Sequence, residues 1–221
     1  MSFLTVLNFW QMLPGLILAI PALLWGLWHA PWKQLHQRQE RQHLFFASIL
    51  LLALFWQLQI EIRDELLLHP IAMNVVTMMF GAPLALLSGS GALLLTHLFN
   101  QQPWSVLPFE LVTMVLVPVA VVSLLLKLIH RIPDSNLFFY LFGAAFFGAV
   151  PTLLAVGVSS WLYLLWIDNA GLLALFEEYA YLLLLMMFPE GFINCAVATV
   201  VTVLRPDLMK TFDEEKYLDD K

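Results

Sequence analysis

A carboxylate stands in the middle of the last apolar stretch of this chain. Glu190 lies in Met186-Met187-Phe188-Pro189-Glu190-Gly191-Phe192-Ile193-Asn194, between the apolar runs Tyr181–Met187 and Cys195–Leu204. An ionised side chain at that depth in hydrocarbon costs at least about 2.5 kcal/mol, so such a group faces a cavity or a partner. Asn194, four residues on, shares the helical face of Glu190 if the helix resumes after Gly191. The Pro-Glu-Gly step is expected to break the helix and free backbone groups that protein or water must satisfy. A broken helix with a buried carboxylate is a form that membrane transport sites take. The competing reading is a neutral glutamate hydrogen-bonded between helices.

Further coordinating groups gather toward one side. His69 follows Glu61, Asp64 and Glu65, His97 ends an apolar stretch, Glu110 opens the next, and Glu177 and Glu178 precede the last. Imidazole suits zinc, copper, nickel and cobalt, and carboxylates extend the choice to harder ions. The metal-ligand candidates are therefore His69, His97 and Glu190, with Asn194, Glu110 and Glu65 along a substrate path. No two of them form a short motif such as His-x-x-x-His, and a lone interfacial histidine is more often a headgroup or helix-end contact. Met73, Met78, Met79, Met186 and Met187 make no single stripe, so they read as packing. His29, His36, His43 and His130 sit among basic residues and read as solvated. One cysteine, Cys195, excludes an intramolecular disulfide and a cysteine-cluster metal site. No Ser/His/Asp set, His-Glu-x-x-His or acidic dyad can be picked out, so an enzyme ranks last and no covalently bound cofactor is expected.

The elements that must position these residues are membrane helices. Of 221 residues 61% are hydrophobic and only 12% charged, with mean hydropathy +0.84. A soluble domain is about 45–50% apolar and about 25% charged, so the main solvent is a bilayer and not water. The fold class is all-α, polytopic, with seven candidate spans at 3–28, 44–60, 66–81, 83–99, 106–129, 136–166 and 172–204. The first is as long as a full span and has no basic segment before it, so it reads as a retained helix. The third and fourth meet at Gly81-Ala82-Pro83 as a tight hairpin. Lys33, Arg38, Arg41, Lys127, Arg131, Arg205, Lys210, Lys216 and Lys221 fall on one side and only Arg63 on the other. That asymmetry puts the N-terminus outside and the C-terminus in the cytoplasm. Residues 1–206 read as one transmembrane domain and 207–221 as a solvated acidic tail. Ala144/Gly148, Ala145/Ala149 and the run Ser88–Ala92 offer small-residue faces for close helix packing.

On these residues a family resemblance can be stated. His69-Pro70 through Phe80-Gly81-Ala82-Pro83-Leu84-Ala85 resembles the segment of cobalt and nickel energy-coupling-factor permeases (CbiM/NikM type) in which a histidine opens a helix ending in a Gly-Pro-type turn. Ala92–Leu98 continues the likeness and Val117-Pro118 resembles a Gly-Pro of the family's next helix. Pro189-Glu190-Gly191-Phe192-Ile193-Asn194 resembles its Gly-Glu-small-Leu-Ile-Thr stretch. The resemblance covers roughly residues 60–204 and implies a substrate-capturing subunit of a bacterial inner-membrane uptake system for a divalent transition-metal ion. A separate transmembrane coupling subunit and ATPase are implied as partners, since the chain has no nucleotide-binding loop. No nucleic acid is implied. In the family a Met-His N-terminus supplies an amine, a backbone nitrogen and one imidazole, and the histidine matched by His69 adds another. This chain begins Met1-Ser2-Phe3, without the second histidine. The alternative is a non-transporting scaffold or maturation factor for a metal-containing membrane complex.

Overall fold

The computed structural model describes residues 2–3, 6–62, 66–132, 136–213 and 217. Helix α1 (Phe9–His29) starts at a capping box in which the side chains of Asn8 and Gln11 each accept the other's backbone N–H at 3.0 Å. A short α2 (Trp32–Gln37) leads into α3 (Gln39–Phe55). Three short strands follow the logic of a pinned hairpin. β2 (Ile60–Ile62) and β1 (Ser2–Phe3) both pair antiparallel with β3 (Leu66–Leu68), Ser2 opposite Leu67 and Ile60 opposite Leu68. Then come α4 (Met73–Phe80), α5 (Ala82–Asn100), α6 (Leu107–Glu110), α7 (Val117–His130), α8 (Ala149–Ile167) and α9 (Ala170–Leu204).

Two stretches are wound as π-helix, Leu111–Leu116 before α7 and Phe139–Phe146 before α8. Each runs toward a proline, Pro118 or Pro151, which lacks an N–H and crowds the carbonyl four residues back. Widening the turn relieves both problems, as in Phe147 N donating to Phe142 O at 2.7 Å.

Polarity is distributed as a bilayer demands. Phe188 and Phe192 are 69% and 61% exposed while Glu190 between them is 2% exposed. Asn74, Thr77, Ser88, Thr113 and Asn194 are buried, and Trp10, Trp28, Leu51, Leu98 and Phe147 face outward. In water this arrangement would expose a large apolar belt at high cost; against lipid it does not. Among the described residues five helical stretches are long and apolar enough to cross a membrane: Phe9–His29, Ala82–Asn100, Leu107–His130, Phe139–Ile167 and Ala170–Leu204. The fold is an all-α multi-pass bundle with a small sheet at one end.

Three expectations change. Segment 66–81 is not one helix: three residues are strand, four form a loop, and only the eight of α4 are helical, all of them buried. Helix α9 is unbroken over 35 residues, with Pro189 inside it. Gly191 serves close approach instead of a break, since a Cβ there would lie 2.6 Å from Phe146 O. Of the tail, expected to be solvated, Met209 and Tyr217 pack on the bundle and are only 2% and 4% exposed. The small-residue faces do pack within the chain: Gly91 sits against Ile49 of α3, and Gly89 against Val115 and Met73.

Candidate metal site

Helix α4 begins with an unusual debt. Its N-cap position, Ala72, has φ +53° and a side chain that cannot accept a hydrogen bond, so the first N–H groups have no local partner. Helix α9 supplies the acceptors. Glu190 Oε2 accepts from Ile71 N at 2.8 Å, and Oε1 accepts from Ala72 N at 2.5 Å and from Asn194 Nδ2 at 2.9 Å. Asn194 Oδ1 accepts from Val75 N at 2.9 Å, and its amide also donates to Glu190 O at 2.8 Å. The i, i+4 pair is thus a cap delivered from another helix. Its negative charge lies at the positive end of the α4 dipole, where an anion is favoured. Both carboxylate oxygens are occupied by N–H donors, the pattern that holds a buried carboxylate without a counter-ion.

The loop so fixed carries His69. Trp56, fully buried at the end of α3, holds that loop from the other side. Its carbonyl lies 3.2 Å from His69 Nδ1, and its indole N–H donates to Ile71 O at 3.2 Å. A carbonyl can only accept, so Nδ1 carries a proton and donates it to Trp56 O. A backbone carbonyl on the far nitrogen is the usual device that orients a ligating histidine. Strand β1 lays the N-terminal backbone alongside β3, with Ser2 opposite Leu67, two residues before His69.

His97 and Glu110 come together nearby. His97 Nδ1 contacts Leu93 O at 3.2 Å, and Nε2 lies 3.3 Å from Glu110 Oε2, with both side chains wholly buried. Since Nδ1 must donate to the carbonyl, a neutral His97 would turn its Nε2 lone pair toward a carboxylate. A favourable contact between the two needs one proton on either Nε2 or the carboxyl. Trp104 packs beside the His97 ring, with centroids 5.7 Å apart.

The structure therefore brings Glu190 and Asn194 together at the α4 cap, His69 on the loop that they hold, and His97 against Glu110. Glu65 falls outside the described residues. Among the described residues no three His, Cys, Asp or Glu side chains form a ready-made metal-ligating group. Sequence reasoning missed Trp56, whose only signal was a tryptophan ending an apolar run, and the strand at the N-terminus, which carried none.

The family model described as the cobalt uptake substrate-specific transmembrane region, CbiM, matches residues 5–208, nearly the whole chain. No curated protein matches it. A polytopic bundle, a histidine loop held against a buried Glu/Asn cap and a match over almost its full length lead to one assignment: the chain belongs to the CbiM family of substrate-specific transmembrane components of cobalt uptake.

Proposed function

We propose that this chain is the substrate-binding membrane subunit of an energy-coupling-factor type uptake system, and that its substrate is a divalent transition-metal ion, cobalt(II) first among them. The chain passes a bacterial inner membrane seven times, with α3 and segment 66–81 as the two spans beyond the five long helices. The His69 end faces outward and the tail end faces the cytoplasm, as the placement of Lys and Arg requires. Nucleotide hydrolysis belongs to a separate polypeptide, reached through a transmembrane coupling subunit.

The observation that carries this reading is the orientation of His69. Its buried imidazole is fixed through Nδ1 by Trp56 O, and the N-terminal strand pairs with Leu66 and Leu67 just before it; metal capture would use Nε2. Serine at position 2 leaves the set short of an imidazole, and the candidates to complete it on metal binding are His97 and Glu110, which pair with each other in the structure. Nitrogen-rich ligation with one carboxylate suits cobalt, nickel or zinc better than magnesium or calcium. Glu190 and Asn194 serve by holding the loop, since their polar atoms are engaged there.

Cobalt accumulation in a strain deleted for this chain tests the proposal. Uptake should fall on deletion, return with the unmutated chain, and fail to return with His69→Ala at equal expression. Unchanged accumulation of cobalt, nickel and zinc in the deletion strain would refute a transport role and favour the scaffold reading.

A further inference from the structure

Helix α4 is gripped at both ends. At the His69 end Glu190 accepts from Ile71 N and Ala72 N just before the helix, and Asn194 accepts from Val75 N in its first turn. In the same turn Asn74 Nδ2 donates to Ala144 O at 3.3 Å. At the other end the C-terminal segment donates to its last carbonyls. Lys210 N reaches Met79 O at 3.0 Å, and Thr211 reaches Met78 O through both its N–H, at 3.2 Å, and its hydroxyl, at 2.7 Å. Those last-turn carbonyls have no partner within the helix. The Thr211 hydroxyl gives its one proton to Met78, so in its 2.8 Å contact with Tyr140 the tyrosine O–H is the donor. Tyr140 is fully buried and belongs to the same π-helical stretch as Ala144.

Aromatic packing fastens the segment further. Phe212 and Tyr217 stack with centroids 5.6 Å apart and planes 15° apart, and both pack on Tyr140, at 5.3 and 5.1 Å. The Lys210 side chain lies over Gly81, whose φ of +73° makes the turn from α4 into α5. A solvated tail would make none of these contacts.

Eight residues make a helix about 12 Å long, which has no stability of its own in isolation. Its order depends on the two clamps, and they share it. We propose that Met209–Asp213, with Tyr217, form a positioning strap: Thr211, with Tyr140 behind it, fixes α4 and through it the loop His69–Ala72 at the opposite end. The strap's role in metal capture rests on the reading of His69 as the metal-facing residue. Its mechanical role does not. Lifting the strap, by a partner or by mutation, loosens the loop that presents His69.

The test uses the full chain in detergent with three variants: Thr211→Val, which keeps the shape and loses the hydroxyl, Thr211→Ser, which keeps the hydroxyl, and Tyr140→Phe, which removes one donor only. Amide hydrogen exchange across residues 69–81 is read beside cobalt(II) affinity. Thr211→Val should speed exchange at Ile71, Ala72 and Val75 by about tenfold, the effect of one lost buried hydrogen bond. Tyr140→Phe should act in the same direction, and Thr211→Ser should match the unmutated chain. Cobalt(II) binding should weaken by about fivefold or more in Thr211→Val, the size of an ordinary coupling between sites. Faster exchange confined to 76–81, with 71–75 unchanged, would overturn the strap. An unmutated chain that binds no cobalt would instead remove the metal reading, and the exchange data would still decide the strap.

Discussion

Replacing Glu190 by Gln changes one oxygen into an NH2 group and leaves the shape alone, yet the structure makes it a severe substitution. The carboxylate accepts from three donors: Ile71 N at Oε2, and Ala72 N and Asn194 Nδ2 at Oε1. A glutamine keeping its oxygen at the Oε1 position faces the Ile71 N–H with its own N–H groups. Turned the other way, it abandons two donors. The cheaper choice strands one buried N–H, at about 1–3 kcal/mol, and reduces two charge-assisted bonds to neutral ones, losing about 1 kcal/mol each. Loss of the anion at the N-terminus of α4 adds about 0.3–1 kcal/mol. Glu190→Gln should therefore destabilise the fold by about 3–6 kcal/mol, and it should speed amide exchange first at Ile71 and Ala72. Thermal unfolding in detergent and peptide-resolved exchange measure both. A glutamine variant with unchanged melting and exchange but no metal binding would refute the cap and make Glu190 a ligand in its own right.

Other sites offer independent checks. Gly15 lets α1 lie on the backbone of Pro108 and Phe109, where a Cβ would come within 2.7–2.9 Å, so Gly15→Ala should cost about 1–3 kcal/mol in thermal unfolding. His97→Leu should cost about 3–5 kcal/mol by breaking a buried pair, and adding Glu110→Leu should recover most of it, which a double-mutant cycle of unfolding would reveal. A reporter fused after Lys221 should read cytoplasm and one inserted at Asp168 should read outside; the same reading from both would remove the seven-span topology.

What the residues disclosed in advance was mostly a matter of local period and local anomaly. Long apolar runs with few charges announce membrane helices because a span is one continuous segment. Glu190 and Asn194 stood out because a polar pair four residues apart in such a run requires a partner. Which partner was hidden. It is the backbone of a loop more than a hundred residues earlier, and backbone N–H groups leave no mark in a sequence. The strand Leu66–Leu68 was invisible for a similar reason. Three leucines before His69 read as the start of a helix, and only pairing with Ile60–Ile62 and with Ser2–Phe3 makes them a strand. Pro189 misled in the opposite direction: its missing N–H suggested a break, but α9 continues through it. The tail looked solvated because its composition is acidic, while its binding is done by Met209, Thr211, Phe212 and Tyr217, spaced among the charges. His97 and Glu110 were each legible as polar groups at span ends, but their meeting depends on how the loop between α5 and α6 folds back.

The central claim is that a metal ion is captured through His69 on a loop held by Trp56, Glu190 and Asn194. Titration of the purified full chain with cobalt(II), followed by calorimetry and by visible absorption, tests it most directly. The unmutated chain should bind cobalt(II) saturably with a ligand-field spectrum of nitrogen-rich coordination. His69→Ala should weaken binding by an order of magnitude or more in a chain that still folds and melts cooperatively, at a lower temperature because the buried bond to Trp56 O is lost. Equal cobalt(II) affinity in the unmutated and His69→Ala chains, or no binding by either, would contradict the account.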